Sequence, residues 1–290
     1  MNDAIRQQSS KRIALVTDSS CDLPEELIKE HDIRILPLYV VYPDRQYRDR
    51  CDIQAEEVYA RMPEEVPSTS MPLAGDVTEL LENLKQEGFK EVLGLFISSG
   101  LSATHDMFKT IAPQVKQLRV EVVDSLSLSM GLGFQVCEAA ELIKKNLNLE
   151  EIAQSLKEFR SRNRVFYVIP TLQYLRKGGR IGLVEGTIGD FLNIKPIISV
   201  NPQGIYYTYA KVRGRKASLQ KLPEIIRETV GEKMVDLAVL HGGAHNEGQE
   251  ILEKLKQSLP NIRKVFFSQI SPVLGVHTGP GLVGVAFNKV

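Results

Sequence analysis

Three groups of hydroxyl side chains in this 290-residue sequence could bind an anion. They occupy residues 17–20, 68–70 and 98–104, and the first and third directly follow apolar runs typical of buried strands. A carboxylate removed from water needs several hydrogen-bond donors or a cation. Hydroxyls beside the free N–H groups of a helix start provide such donors. Each hydroxyl could instead cap its own helix, but three groups at strand ends favour an anion site.

Histidine is the second residue type that could do chemistry here. His277 lies among turn signals just before the last predicted strand, and its imidazole could donate to a carboxylate or pair with it. A structural or solvated role stays open, because a histidine in a loop usually has one. His241 and His245 have the i, i+4 spacing of metal ligands. The glycines between them predict a loop, so we expect no metal site.

Basic residues cluster around a glycine turn, in a sequence with no overall charge. The cluster consists of Lys177, Arg180, Lys195, Arg213, Arg215 and Lys216. It could meet a phosphate or an acidic partner, or it could be a solvated face. The sequence contains no P-loop, and no GxGxxG follows the first strand, which disfavours nucleotide binding. It also has no GxSxG, HExxH or SxxK motif, so a familiar hydrolase is not supported.

Composition predicts a soluble cytoplasmic protein. The chain has 36 basic and 36 acidic residues, and this zero net charge argues against nucleic acid as a partner. Its three cysteines, Cys21, Cys51 and Cys137, form no CxxC pair, as expected for reduced thiols. No apolar run approaches the roughly 20 residues needed to span a bilayer. Residues 1–12 are polar, and we interpret them as a disordered leader.

The elements that must position these residues alternate between strand and helix in the first half. This alternation predicts an α/β fold whose N-terminal domain, residues 13–163, is a parallel sheet flanked by helices. Ligands bind at the carboxyl ends of such strands, where the hydroxyl groups lie. We expect one strand over residues 34–41 and a stiff loop over 67–72. Hairpin signals at residues 201–203 favour a C-terminal α+β domain, residues 164–290. A ligand buried between the two domains is what the family resemblance described below implies.

Several motifs together resemble those of the DegV family, in the family's order from about residue 13 to the end. They are IALVTDSSCD (13–22), PSTSMP (67–72), ISSGLSAT (97–104), YLRKGGRI (174–181), Lys195-Pro196, Lys211-Val212-Arg213 and HTGPG (277–281). Each motif is weak alone, and the combination is specific. The sequence departs from the family pattern at Met71, where glutamine is common, and more mildly at Ala103, where glycine is common.

The resemblance implies a two-domain protein that is not an enzyme by itself and that buries a long-chain fatty acid such as palmitate, stearate or oleate. It implies no cofactor. The partner would be an ATP-dependent kinase subunit that phosphorylates the bound carboxylate for phospholipid synthesis, and a transient contact with a membrane acyltransferase would follow.

The resemblance also implies roles for individual residues. The carboxylate would be held by Thr69, by Ser99 or alternatively Ser98, and by His277 with Thr278 beside it. Arg180 and Arg213 would contact the kinase. For the acyl tunnel we consider as liners Phe96, Phe166, Phe191 and Leu192, and for its opening the segment 182–192.

Two other functions remain open on the sequence. The chain could be a stand-alone acyl or phosphoryl transferase, with His277 as base and a serine of the 98–99 pair as nucleophile. It could also be a binding module for another small anion, such as a sugar phosphate. Turnover by the chain alone would favour the first, and a narrow polar pocket would favour the second.

Overall fold

The computed structural model describes residues 13–187 and 194–290 of the chain, and there it confirms the predicted α/β fold class. The predicted leader, residues 1–12, lies outside the described residues. In the part of the chain that is described, no helix has the length and apolar character required to cross a membrane.

The elements of the first half alternate as expected. They are β1 (Ile13–Asp18), α1 (Glu25–Glu30), β2 (Ile33–Leu36), β3 (Tyr39–Val41), β4 (Gln46–Arg48), α2 (Ala55–Arg61), β5 (Ser68–Ser70), α3 (Ala74–Gln86), β6 (Glu91–Phe96), α4 (Thr104–Ile111), β7 (Arg119–Asp124), α5 (Ser129–Lys144) and α6 (Leu149–Phe159). The second half contains β8 (Asn163–Val168), α7 (Gln173–Lys177), β9 (Ile197–Val200), β10 (Tyr206–Ala210), α8 (Arg215–Val230), β11 (Val235–Gly242), α9 (His245–Ser258), β12 (Ile262–Gln269), α10 (Pro272–Thr278) and β13 (Leu282–Lys289).

The first sheet is parallel, in the order β2-β1-β6-β7. Successive side chains of a strand point to opposite faces of the sheet, and in this sheet both faces carry apolar residues. On β6, Val92 and Phe96 belong to a core that also contains residues of α3 and α4. Leu93 and Leu95 belong instead to the central core of the molecule. The two central strands, β1 and β6, are therefore buried on both sides.

Two predictions in this half were wrong in detail. The strand expected over residues 34–41 is two strands, β2 and β3, separated by Pro37, which has no N–H to donate to a ladder. Only β2 joins the parallel sheet. The expected loop over 67–72 contains β5, which pairs antiparallel with β3 in a small sheet of order β4-β3-β5. This pairing fixes the direction of the Thr69 side chain.

The second sheet has the order β10-β9-β8-β13-β11-β12, and every strand of it begins at or after Asn163. Neighbouring strands are antiparallel except β11 and β12, which α9 connects. The predicted hairpin at residues 201–203 joins β9 and β10. Alternation again divides the side chains: Phe166 lies in a core that includes residues of α8 and α9, whereas Tyr167 lies in the central core.

The central core is shared by both sheets, and α5 runs through it. Most of this helix is buried, and its close approach to the first sheet depends on Gly133, where a Cβ would lie 2.7 Å from the carbonyl oxygen of Cys21. Because the two sheets share one core, a cavity inside it is walled by residues from both halves of the sequence.

Candidate functional site

Thr69 and His277 meet in the folded chain although 208 residues separate them. The Oγ1 atom of Thr69 lies 2.8 Å from Nε2 of His277, within hydrogen-bond distance. Thr69 is on β5, and His277 is in the last turn of α10 rather than in the expected turn. The helix begins with Pro272 at its first position, which suits a helix start, and ends before Gly279, whose φ is +70°.

His277 is an uncharged imidazole at neutral pH. Burial and, secondarily, the positive charge of Arg180 lower its pKa to about 4. Its Nδ1 atom is buried and has no hydrogen-bond partner among the described residues. Gly178 packs directly against the ring, and a Cβ at that position would lie 2.1 Å from Nδ1. The ring is therefore held by its surroundings and presents a hydrogen-bonding edge to Thr69.

Arg180 lies beside this pair. Its Nη1 atom donates to the carbonyl oxygen of Gly178 at 2.6 Å, and its Nε atom donates to that of Leu101 at 3.3 Å. These bonds hold the guanidinium against the same cavity that Thr69 and His277 line. Arg213, the other predicted partner contact, is exposed, its backbone forms a bridge with Ile194, and it does not line this cavity.

The structure does not bring Ser98 or Ser99 to this cavity. Ser98 is fully buried, and its hydroxyl donates to the carbonyl oxygen of Gly204 at 2.8 Å. Ser99 is exposed, and its backbone N–H donates to Asp124. Two serines line the cavity, Ser70 beside Thr69 on β5 and Ser102 in the turn before α4. Sequence reasoning missed Ser102 because all of the serines in residues 98–104 carry the same signal, and only the turn geometry distinguishes them.

The transferase alternative required a serine of the 98–99 pair beside His277. Among the described residues, His277 is within hydrogen-bond distance of Thr69, and the hydroxyl of Ser98 donates to the carbonyl oxygen of Gly204. No nucleophile and base are therefore paired in the arrangement that this alternative needs.

The cavity has a polar end and an apolar end, and we call the whole the central cavity. Its polar end is lined by Thr69, Ser70, Ser102, Arg180 and His277, together with apolar residues such as Leu101. The apolar end is nearly closed in this structure, with about 20 Å³ of space, which is room for about one water molecule. Its lining includes Leu128, Val165, Tyr167, Leu240, Ile270, Thr278, Leu282 and Gly284.

Tyr206 and Leu274 line both ends, so the two ends are adjacent and share a wall. Thr278 contributes to the apolar end, where its hydroxyl donates to the carbonyl oxygen of Leu274 at 3.0 Å. The predicted liners Phe96 and Phe166 are instead buried in the two cores that face the outer helices.

The other predicted liners, Phe191 and Leu192, lie outside the described residues. Residues 188–192 of the segment 182–192, which we expect to open the tunnel, also lie outside the described residues. Its described part, Gly182–Thr187, is a 3₁₀ helix in which Val184 is fully buried.

The polar end also faces an open surface pocket. Thr69, Arg180 and His277 line this pocket as well as the central cavity, and Lys177 contributes a second cation to it. A group bound next to Thr69 and His277 could thus be reached from outside through an opening lined by Lys177 and Arg180.

Three buried carboxylates near the site have structural partners. Asp18 accepts hydrogen bonds from the N–H groups of Ser20 and Ile97, and these bonds hold the first group of hydroxyl residues, 17–20, against the end of β6. Asp22 accepts from the N–H of Ser271 at 2.8 Å, and Asp49 accepts from the N–H of Val273 at 3.0 Å. The last two bonds anchor the N-terminal end of α10, where free N–H groups favour negative charge.

Burial raises the pKa of all three carboxyl groups. The pKa of Asp18 rises to about 6 and that of Asp49 to about 7, and the pKa of Asp22 is also raised. Hydrogen bonds oppose the shift in each case without cancelling it. Asp49, with its raised pKa, and Asp22 hold the helix that carries His277.

The paired histidines of the second half do not form a metal cluster. His245 begins α9, and its ring packs edge to face with that of His241 at a centroid distance of 5.4 Å. Over residues 13–187 and 194–290, no group of three or more His, Cys, Asp or Glu side chains is arranged to hold a metal ion.

Comparison with known proteins gives a consistent picture. A family model described as an uncharacterised protein of the DegV family matches residues 12–290. A DegV domain-containing protein of Clostridium acetobutylicum is 44% identical over 279 residues, which cover 96% of this chain and 99% of that protein.

Two solved structures are similar over almost the whole chain. One is described as fatty acid binding by a DegV family protein of Thermus thermophilus. It is 30% identical with a TM-score of 0.90, and the match covers 96% of this chain and 100% of that one. The other is DegV of Bacillus subtilis, described as a fatty acid binding protein. It is 29% identical with a TM-score of 0.89, and the match covers 97% and 100%.

Proposed function

The chain belongs to the DegV family, and from this membership and the central cavity we propose that it binds a long-chain fatty acid. The observation that carries the proposal is that a hydroxyl- and arginine-lined polar end adjoins an apolar end lined by the second sheet, α5 and α10. A fatty acid has this same division between a carboxylate and an apolar chain. Burying the chain would contribute roughly 0.8 kcal/mol per CH₂ group.

The polar end supports a specific role for each side chain toward the carboxylate. In the tautomer of neutral His277 that carries the proton on Nε2, the imidazole donates to Thr69 Oγ1, which leaves the threonine hydroxyl proton free for a carboxylate oxygen. Ser102 supplies a second hydroxyl, and we transfer to it the role that the sequence assigned to Ser98 and Ser99. Arg180 offsets the negative charge. Thr278 contributes to the wall of the apolar end.

We further propose that the protein presents the bound carboxylate to a partner kinase. The open pocket beside Thr69, Arg180 and His277 supports this, because it gives an outside phosphoryl donor access to the carboxylate. The cations Lys177 and Arg180 would offset the charge of the incoming phosphates. The exposed Arg213 would contact the partner, and the partner would supply ATP and catalysis.

The test begins with the ligand. Protein purified under native conditions is extracted with organic solvent, and the extract is examined by mass spectrometry. Delipidated protein is then titrated with palmitate and oleate. We expect a co-purified C16 or C18 acid and saturable uptake of the added acids. An extract without acyl chains, combined with no uptake, would show that the proposed ligand is wrong.

A further inference from the structure

A second cleft shares no lining residue with the open pocket. It is formed by the loop after β7, the C-terminal end of α6 and the hairpin between β9 and β10. It shares Val165 with the apolar end of the central cavity and shares none of the residues that line the polar end. Its chemistry is therefore separate from the proposed carboxylate site.

All of the charged side chains that line this cleft are positive. Lys157, Arg160 and Arg164 line it, and its lining includes no Asp or Glu. Within the described ranges, none of the three cations has a carboxylate at ion-pair distance. The Nε atom of Arg160 is buried and has no hydrogen-bond partner there. Burial accordingly lowers the pKa of Arg160, and the charge of Asp124 only partly opposes this.

The same cleft contains two buried acceptors that lack donors. Gln135 is 1% exposed and Asn163 is 7% exposed, and both line the cleft. Their NH₂ groups donate to the carbonyl oxygen of Gly131, at 3.1 Å and 2.7 Å, which fixes the orientation of each amide. The oxygens Oε1 and Oδ1 are consequently left without a partner. A buried acceptor without a donor costs about 1–3 kcal/mol, so a ligand that supplied hydroxyl donors would recover part of that cost.

We propose that this cleft binds a small phosphate monoester that carries hydroxyl groups, such as a phosphorylated sugar or polyol. The phosphate lies among Lys157, Arg160 and Arg164, because three converging cations suit a dianion better than a single carboxylate. The hydroxyl groups of the ligand donate to Gln135 and Asn163. The half-buried ring of Tyr207 forms one wall beside the carbon skeleton.

Isothermal titration calorimetry of the full chain tests this proposal with ribose 5-phosphate and inorganic phosphate as probes. We expect the sugar ester to bind more tightly than inorganic phosphate. Lys157→Gln and Arg160→Gln should each weaken ribose 5-phosphate binding about ten-fold or more. Arg162→Gln is the matched control, because Arg162 packs over the ring of Phe159 and does not line the cleft. This control should bind the ester like the wild type.

Three results would overturn the proposal. They are no binding of either probe, equal affinity for both probes, and equal weakening by Arg162→Gln, which would indicate nonspecific attraction. Since Arg160 is partly buried, thermal unfolding of its variant is measured alongside, and the exposed Lys157 provides the independent test. Thr69→Val should leave ester binding unchanged, and a loss in that variant would contradict a separate site.

Discussion

At the scale of single residues, the site depends on which groups are charged and which are not. His277 is neutral because it is buried next to Arg180, so it acts as a hydrogen-bonding group rather than as a cation. The positive charge at the polar end comes from Arg180. The hydroxyl of Thr69 lies within hydrogen-bond distance of the imidazole, and both residues line the cavity. This division of roles predicts that the threonine hydroxyl makes a separate, measurable contribution to fatty acid affinity.

Thr69→Val removes that hydroxyl and keeps the shape of the side chain. Losing a hydrogen bond to a charged group costs about 1.5–3 kcal/mol, so palmitate affinity should fall roughly ten- to hundred-fold. Fluorescence competition or calorimetry measures the change. Thr78→Val, on the exposed face of α3, is the matched control and should bind like the wild type. Unchanged affinity in Thr69→Val would remove Thr69 from the proposed site.

Asp49 makes the stability of the protein depend on pH. Its pKa is raised from 3.8 to about 7 in the folded chain, so the folded state binds more protons than the unfolded state between these values. Stability from this group is therefore lost as pH rises from about 4 to about 7. Asp49→Asn keeps an acceptor for the N–H of Val273 and removes the titration. The free energy of unfolding of this variant should fall less between pH 5 and pH 8 than that of the wild type.

Denaturant unfolding at several pH values measures this difference. Asp44→Asn, an exposed substitution in the loop before β4, is the control and should follow the wild-type pH curve. His277 acts in the opposite direction, because its lowered pKa makes stability rise with pH between about 4 and 6.5. The contribution of His277 is the same in the wild type and in both variants, so it cancels when their pH curves are compared. Parallel curves for Asp49→Asn and the wild type would refute the assignment to Asp49.

At the scale of elements, α10 is the part that assembles the site. Its N-terminal end is anchored by carboxylates from the first half of the chain, and its last turn carries His277 to Thr69 on β5. The glycine turn after α7 closes on the other face of the imidazole. A seven-residue helix is thus positioned by contacts with both halves of the sequence rather than by its own helix propensity.

Gly178→Ala tests whether the position of α10 relative to this turn matters. The backbone of Gly178 has φ −78°, which alanine adopts easily, so the substitution adds only a methyl group. That methyl group would lie 2.1 Å from Nδ1 of His277, and the ring must move. Palmitate affinity should fall about ten-fold as the contact with Thr69 is lost. Gly75→Ala, where a Cβ meets nothing within 4 Å, should have no effect.

At the scale of the whole molecule, the two sheets and α5 enclose one apolar core, and the central cavity lies within it. Successive residues along a strand alternate between this core and the helices outside. A single strand therefore contributes both to the cavity wall and to the outer packing. The apolar end is narrow, and a long acyl chain must widen it when it enters. Binding should therefore depend strongly on the space available at the far end.

Gly284→Val tests that dependence. A Cβ at Gly284 makes ordinary contacts, the nearest being 3.4 Å from Cβ of Tyr167, so the strand tolerates it. The added methyl groups fill part of the apolar end. If they displace about two methylene groups of the ligand, palmitate affinity should fall roughly ten-fold. Octanoate, which does not reach this depth, should bind unchanged and serves as the internal control. Equal weakening of both acids would place the acyl chain elsewhere.

The sequence by itself determined the α/β class and most of the elements, because periodicity, proline and glycine act locally. It also pointed to Thr69, His277 and Arg180 through the family motifs that contain them. It did not separate Ser102 from Ser98 and Ser99, since neighbouring hydroxyls give the same signal and only the turn decides which one faces inward. Nor did it predict that β3 and β5 would pair, because that pairing joins segments about 30 residues apart.

The tertiary structure alone decided how distant groups meet. It brought Asp49 to α10, placed Arg180 beside His277, and left Gln135 and Asn163 without donors in a basic cleft. Contacts of this kind depend on how two sheets pack on a shared core, and no local pattern encodes them. For the same reason, the sequence could suggest an anion site at strand ends, whereas the position of an apolar space next to a hydroxyl- and arginine-lined site became visible only in the folded chain.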